Sequence, residues 1–378
     1  MNQRPKLLFV VTEDWYFVSH RLSLAVAAQK AGFDIAVATR VGKQVEAIRA
    51  AGIRLIPFSL SRHHGNPMRE VAALARLYHR ERPDIVHHVA LKPIVYGTLA
   101  AWVARVPAKV NAVAGLGWLF TTTNGMMRLI RPTARWILAW LLNAQGSLTI
   151  VQNPEDRSLL IRSHLPEARI RLIRGAGVDT ISFRPTPAPS GPVCIIMAAR
   201  MLWAKGVGEF AEAARLLTQA GISARFVLVG TPDLGNPASV PEATLRGWHG
   251  RNGVEWWGWQ DDMSAVFRSA HIACLPSYYR EGLPKVLLEA AACGLPLVTT
   301  NAPGCREVVR DGDNGLLVPV RDSQALAKAL RELIENAGLR ARMGRRAREI
   351  ALAEFSQEQI ITEVLAVYRE LLGQGVKG

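Results

Sequence analysis

The chain has 378 residues, 49% of them hydrophobic and 20% charged, a composition that excludes a disordered polymer and leaves room for two or three cores. Its formal charge of +15 is unevenly spread: residues 1–185 hold 25 Lys and Arg against 11 Asp and Glu, and the remainder 21 against 20. A basic half of this kind fits a negatively charged partner, whether nucleic acid, an anionic membrane face or a phosphorylated substrate, or else a genome rich in arginine.

After Arg4 and Lys6 the first apolar run is only Leu7–Val11, followed by Glu13 and Asp14. That is too short for the apolar region of a signal peptide and reads as a first strand. Further runs at 34–39, 53–57, 84–89, 109–113, 147–151 and 169–173 predict strands, and 18–32, 67–82 and 93–105 carry the 3.6-residue period of helices. No stretch approaches the ~18 consecutive apolar residues of a membrane span. The segment "GMMRLIRPTARWILAWLLN" places Arg128, Arg131 and Arg135 on one helical face, with Trp136 and Trp140 elsewhere on the helix. Residues 85–154 around it contain six basic residues and no acidic one. This pattern predicts an interfacial helix on an anionic membrane surface, each well-placed cation adding about 1 kcal/mol; the alternative is that Trp and Leu are core.

Then "FRPTPAPSGP", Phe183–Pro192, sets four prolines in ten residues and reads as a domain boundary. The alternation resumes with strands at 193–199, 225–230, 271–275 and 296–300 and helices at 206–220, 284–293 and 322–336. Repeated strand–helix units predict an α/β chain of two doubly wound, Rossmann-like domains, with parallel sheets and ligands at the carboxyl ends of the strands. The cleft between two facing domains is the expected site. A last amphipathic helix is predicted over Phe355–Leu372. Cys194, Cys274, Cys293 and Cys305 form no CxxC pair and read as small core residues of a reducing, cytosolic protein.

Three motifs carry chemistry. In "MAARMLWAKGVGEF", Arg200 and Lys205 follow a strand and can neutralise a diphosphate, including the charge that develops when it leaves. Gly206-x-Gly208-x-x-Ala211 in the same stretch matches the dinucleotide fingerprint formally, but five residues separate Arg200 from Gly206, whereas that turn follows its strand directly. In "SYYREGLPKVLLEAAACGLPLVTT", Pro284 and Gly294 bracket a helix over Lys285–Cys293 whose N-terminus suits a phosphate. Glu281 stands before that helix, where it can accept hydrogen bonds from sugar hydroxyls. Glu289 on its second turn can hold a paired hydroxyl such as ribose. Solvated helix-end acids are the alternative. Finally, Asp311-Gly312-Asp313 in "DGDNGLLVPV" has the look of a metal pair but reads as a turn into a short strand, with Gly and Asn at positive φ.

The Glu281-x7-Glu289 element, the Arg200 and Lys205 pair and "NAPGCREVVRDGDNGLLVPV" resemble retaining glycosyltransferases of family 4, which have the two-domain GT-B fold. "HHVALKPIVYGTLAA", "AVAGLGWLF" and "TIVQNPEDRSLL" are similar to a narrower bacterial group that extends undecaprenyl-diphosphate-linked sugars, such as the N-acetylgalactosaminyltransferases of protein glycosylation. The resemblance implies an N-terminal acceptor domain over 1–184, with the helix 355–378 packing back on it, and a nucleotide-sugar domain over 185–354. It implies that Glu281 contacts the donor hexose near the backbone of Gly282, Leu283 and Pro284. It further implies that Glu289 binds the ribose, that Arg200 and Lys205 bind the diphosphate, and that Gly230–Asp233 with Glu255–Asp262 frame the base. No metal or other cofactor is implied. Many relatives carry an "HxH" pattern after the fourth strand; "DIVHHVALKP" has Val89 at the second position. His87 or His88 could still face the cleft as a catalytic group, as could His20 in "YFVSHRL", with core packing the alternative. Gly115 and Gly117, and Lys92, are expected to line the acceptor cleft.

The expected function is transfer of a hexose or N-acetylhexosamine from a nucleotide sugar, UDP-linked, to a polyprenyl-diphosphate-linked glycan for cell-surface polysaccharide or glycoprotein. The expected location is the inner face of the cytoplasmic membrane. A UDP-sugar 2-epimerase of the same fold is the second reading, disfavoured by the Glu281 and Glu289 pair. A basic nucleic-acid-binding protein is the third, but no recognised module with interleaved aromatics occurs, so no nucleic-acid partner is expected.

Overall fold

The computed structural model describes residues 4–61, 65–116, 125–233 and 235–375, with the backbone alone for 125–132 and 374–375. Two compact units divide the chain: one runs through Ala176 and takes up the chain again from Ile360, and the other is Gly177–Gln359.

The first unit holds strands β1 Lys6–Glu13, β2 Asp34–Arg40, β3 Arg54–Pro57, β4 Ile85–Val89, β5 Ala108–Ala112, β6 Ser147–Val151 and β7 Ile170–Leu172. They form one sheet in the order β3-β2-β1-β4-β5-β6-β7, with every pairing parallel. The second holds β8 Cys194–Ala198, β9 Arg225–Val229, β10 Val254–Gly258, β11 Ile272–Leu275, β12 Leu297–Thr300 and β13 Gly315–Val318. Their order is β10-β9-β8-β11-β12-β13, again all parallel. Helices cover both faces of a parallel sheet, so its central strands are apolar throughout; "CIIMA" of β8 and "IACL" of β11 are buried at every position. Strand order reverses between β1 and β4 and between β8 and β11, the switch points at which doubly wound sheets open a crevice.

The boundary falls earlier than the prolines indicate. Val178 bridges Ser356, its N–H donating to the Phe355 carbonyl at 2.9 Å and its carbonyl accepting from Gln357 N–H at 3.0 Å. The Arg348 guanidinium holds the carbonyls of Thr180, Phe183 and Ala292 within 2.8–3.0 Å. Residues 177–184 are therefore tied to the second unit by backbone pairing, and the proline-rich segment lies inside that unit. From Ile360 the last helix, Gln357–Gly375, packs in the first unit, where Tyr368 is wholly buried. Strand β10 was not predicted: Glu255, Trp256 and Trp257 are all half-buried on an edge, so neither alternation nor an apolar run marks it. All four cysteines are buried free thiols.

Candidate active site

The second sheet gathers its motif residues at the carboxyl ends of β8, β9, β11 and β12, around the β8/β11 switch point. After β8 the chain passes Arg200 and enters a single 3₁₀ turn, Trp203–Lys205, which ends on Gly206 at φ +82°. A Cβ there would also fall 2.1 Å from the Pro276 carbonyl oxygen, so glycine is required twice over, by backbone conformation and by space. That contact brings the loop after β8 against the loop after β11. The Ala204 carbonyl accepts from the Tyr278 and Tyr279 N–H groups at 3.0 and 3.2 Å, and the Lys205 ammonium forms an ion pair with Glu281. Lys205 and Glu281 keep only 17% and 12% of their side-chain surface, so the pair is largely shielded from bulk water.

A third loop closes from β12. Gly304 sits at φ +82°, and a Cβ on it would lie 2.6 Å from the carbonyl oxygens of both Glu281 and Gly282. Behind Glu281, Leu283 and Pro284 are buried and lead into the Lys285–Ala292 helix, which Gly294 ends at φ +76° as its spacing predicts. Pro284 takes the N-cap rather than the first helical position. On the second turn Glu289 is almost fully buried and pairs with Lys285 at 3.1 Å. Burial pushes its carboxyl above the usual range, and the Lys285 charge opposes that. The desolvated acid gains by accepting hydroxyl donors.

Arg200 pairs with Asp233 at 2.8 Å and remains half exposed. Burial, and next the Glu281 charge, pushes the Tyr279 phenol up while Arg200 opposes, which places these three side chains in one electrostatic environment. Gly230, at φ +130°, donates its N–H to Gly258 O at 2.7 Å and accepts from Trp256 Nε1 at 2.8 Å; a Cβ would meet the Ala199 carbonyl at 1.9 Å. Asp311 and Asp313 are engaged as turn residues, the first accepting from Leu317 N–H at 2.8 Å and the second paired with Arg346 at 3.0 Å. Gly312 takes positive φ, whereas Asn314 does not; its buried amide instead bonds Arg310 N–H and the Val308 carbonyl.

In the first unit the expectation for His88 is corrected. His88 has no exposed surface: Nε2 meets Tyr78 OH at 3.0 Å and Nδ1 meets Asn111 Oδ1 at 2.8 Å. Burial brings its imidazole down to about 4, so it is a neutral core group. His87 is equally buried, stacked on Phe9 and bonded through Nδ1 to Tyr368 OH at 2.6 Å. Of these three histidines only His20 stays partly exposed, stacked on Tyr16 with Nδ1 2.5 Å from Ser19 Oγ. The Lys92 ammonium pairs with Glu70 at 2.8 Å and donates to Ser61, which makes it a clamp on that loop rather than an open cleft group. Gly115 takes φ +113°; Gly117 and the side chains of Arg128 and Arg131 lie outside the described residues. The Gly125–Leu142 helix buries Leu138, Ala139, Leu141 and Leu142 and exposes Trp136, Ile137 and Trp140. Arg135 does not stand on that outward face; it is half-buried and donates to Ser163 Oγ at 3.3 Å. No helix among the described residues is long and apolar enough to cross a membrane.

Residues 6–152 match the family described as glycosyl transferase 4-like, and residues 178–350 match glycosyl transferases group 1. The chain is 27% identical over 342 residues, 86% of its length and 88% of the relative's, to the N,N'-diacetylbacillosaminyl-diphospho-undecaprenol alpha-1,3-N-acetylgalactosaminyltransferase of Campylobacter jejuni. It is 26% identical over 277 residues, 70% of its length and 69% of the relative's, to the UDP-Gal:alpha-D-GlcNAc-diphosphoundecaprenol alpha-1,3-galactosyltransferase of Escherichia coli. Its fold matches that of Anabaena HepE, solved in complex with UDP and glucose, with a TM-score of 0.80, 20% identity and coverage of 97% and 100% of the two chains.

Proposed function

The chain belongs to the family 4 glycosyltransferases of the GT-B fold, and from that premise we propose that it moves a hexose or N-acetylhexosamine from a UDP-sugar to a polyprenyl-diphosphate-linked glycan, with retention at the anomeric carbon, in cell-surface polysaccharide or glycoprotein synthesis. The observation that carries this reading is the Lys205–Glu281 pair at the β8/β11 switch point, with Arg200 and Glu289 on the neighbouring segments. Two cations and two carboxylates answer three of the four parts of a nucleotide sugar: diphosphate for Arg200 and Lys205, hexose hydroxyls for Glu281, ribose hydroxyls for Glu289. In the reaction the anomeric carbon's bond to the diphosphate oxygen breaks as the acceptor oxygen bonds to that carbon. The acceptor proton passes to the leaving diphosphate, whose growing charge Arg200 and Lys205 stabilise. These side chains supply the positive charge themselves, so the proposal includes no metal; a chelator should leave the rate unchanged, and a rate restored only by divalent cation would remove this part. The diphospho-undecaprenol acceptors named for the two relatives support a lipid-linked acceptor for this chain.

A panel of UDP-, GDP- and ADP-sugars should shift the melting temperature with the UDP donors alone. At a hundredfold excess over Kd the gain is about 2.7 kcal/mol, which is a few degrees for units of this size. A shift with GDP- or ADP-sugars and none with UDP donors would overturn the nucleotide assignment.

The reading extends to peripheral binding at the cytoplasmic face of the membrane. Trp136 and Trp140 stand 58% and 59% exposed, and Trp102, at the end of the Leu91–Val103 helix, 73%. Exposed aromatics in a basic, acid-free segment suit an anionic headgroup layer. The protein should float with vesicles of one-third anionic lipid, and the Trp136→Ser/Trp140→Ser variant should largely stay behind. Equal flotation of the two would remove the membrane assignment.

A further inference from the structure

Ser277 was not singled out by any sequence pattern, yet it is the atom-level joint between the two loops that carry Lys205 and Glu281. It is wholly buried at the end of β11. Its Oγ lies 3.0 Å from Glu281 Oε1 and 3.2 Å from the Ala204 carbonyl, and accepts from Tyr279 N–H at 3.3 Å. A hydroxyl has one proton, and the nearer, ionised acceptor takes it, because a charge-assisted bond is about twice as strong as a neutral one. The Tyr279 N–H on the oxygen fixes the rotor in that direction. Ser277 is itself fixed from behind, where Thr300 Oγ1 of β12 donates to its carbonyl. Glu281 Oε1 thus receives two donors from the protein, the Ser277 hydroxyl and the Lys205 ammonium. The same oxygen is occupied twice, which fixes the carboxylate plane and leaves Oε2 as the oxygen for a ligand hydroxyl.

We propose that Ser277 is a positioning residue for transfer: its buried hydroxyl sets the rotamer of Glu281, so that one carboxylate oxygen is held by the protein and the other is presented to the donor sugar. This rests on the role given to Glu281 above. Arg200 and Lys205, which hold the diphosphate, do not depend on the Ser277 proton, so the effect belongs to the chemical step rather than to nucleotide binding.

The test compares Ser277→Ala, Ser277→Cys and Ser277→Thr with Glu281→Gln, measuring kcat, the Kd of UDP by calorimetry and the melting temperature. Cys is close in size to Ser and guards against a cavity effect of the Ala change. The Ala and Cys variants should lose about 10- to 100-fold in kcat, the scale of a misplaced catalytic group. Their Kd for UDP should stay within about threefold of the parent, and Thr should recover most of the rate through its hydroxyl. Three results would overturn the inference: Ala at the parental kcat, a loss of UDP affinity that matches the loss of rate, or a Thr variant no better than Ala. Glu281→Gln at full activity would be a different failure, that of the site reading itself.

Discussion

Glu281→Gln is expected to lower the rate of transfer by about 10³-fold or more while leaving the fold and the affinity for UDP nearly intact. The physical case begins with what surrounds the carboxylate. Glu281 is shielded, holds Lys205 in an ion pair and accepts from Ser277. An amide of the same shape keeps an acceptor for one of these donors but loses the negative charge. It also turns an N–H₂ group toward either the ammonium or the sugar hydroxyls. As the anomeric centre gains positive character, a carboxylate nearby stabilises it through a low-dielectric path, and the loss of one such preorganised group costs about 10²–10³-fold. Lys205 adds a second defect in the chemical step: its ammonium stays beside the diphosphate but loses the carboxylate that holds it against the leaving oxygen. Nucleotide affinity is spared, since the contacts proposed for the diphosphate and ribose lie with Arg200, Lys205 and Glu289. The check is a pair of measurements, kcat with a lipid-linked acceptor and Kd for UDP, and a variant with more than a tenth of parental kcat would refute the assignment.

Lys205→Ala should fail in a different way. Both binding and rate fall: the diphosphate loses a charge-assisted hydrogen bond of about 1.5–3 kcal/mol, roughly a 10- to 100-fold rise in Kd for UDP. The leaving group further loses stabilisation as its charge develops, about 10²–10³-fold in kcat. Lys205→Arg should recover little, because a planar guanidinium fork does not reproduce the point charge and donor geometry of an ammonium. Truncation also leaves the shielded Glu281 without its cation, an uncompensated charge that costs stability, so the melting temperature should drop by several degrees, more than in Glu281→Gln, where the amide oxygen still accepts from Lys205. UDP bound as tightly by Lys205→Ala as by the parent would refute the role.

Much of this architecture is legible along the chain because parallel strands buried on both faces are apolar runs, and "KLLFVVTE" and "CIIMA", short and carrying β-branched residues, favour strand over helix. The second-unit motif residues are legible because glycine and proline mark where backbone must turn tightly: Gly206, Gly294, Gly304 and Gly312 all take positive φ. Pairings over long separations are not legible. Lys205 and Glu281 are 76 residues apart, and His88 is sealed by Tyr78 and Asn111, 10 and 23 residues away. The His88 imidazole therefore looked as available as any histidine at a strand end, and only three-dimensional packing separates it from His20. Lys92 misled for the same reason, its partner Glu70 being on another helix. Strand β10 escaped because an edge strand with two half-buried tryptophans satisfies neither sequence pattern. Ser277 escaped because a serine before a turn is ordinary in sequence, and its function lies in its burial.

The most direct measurement is calorimetric titration of UDP and of a UDP-sugar into the parent protein and into an Arg200→Ala/Lys205→Ala variant that melts cooperatively. A nucleotide-sugar site at the carboxyl ends of β8 and β11 predicts saturable binding to the parent and at least a hundredfold weakening in the variant. Equal affinity in both proteins, or no binding to the parent by any nucleotide sugar, would contradict it.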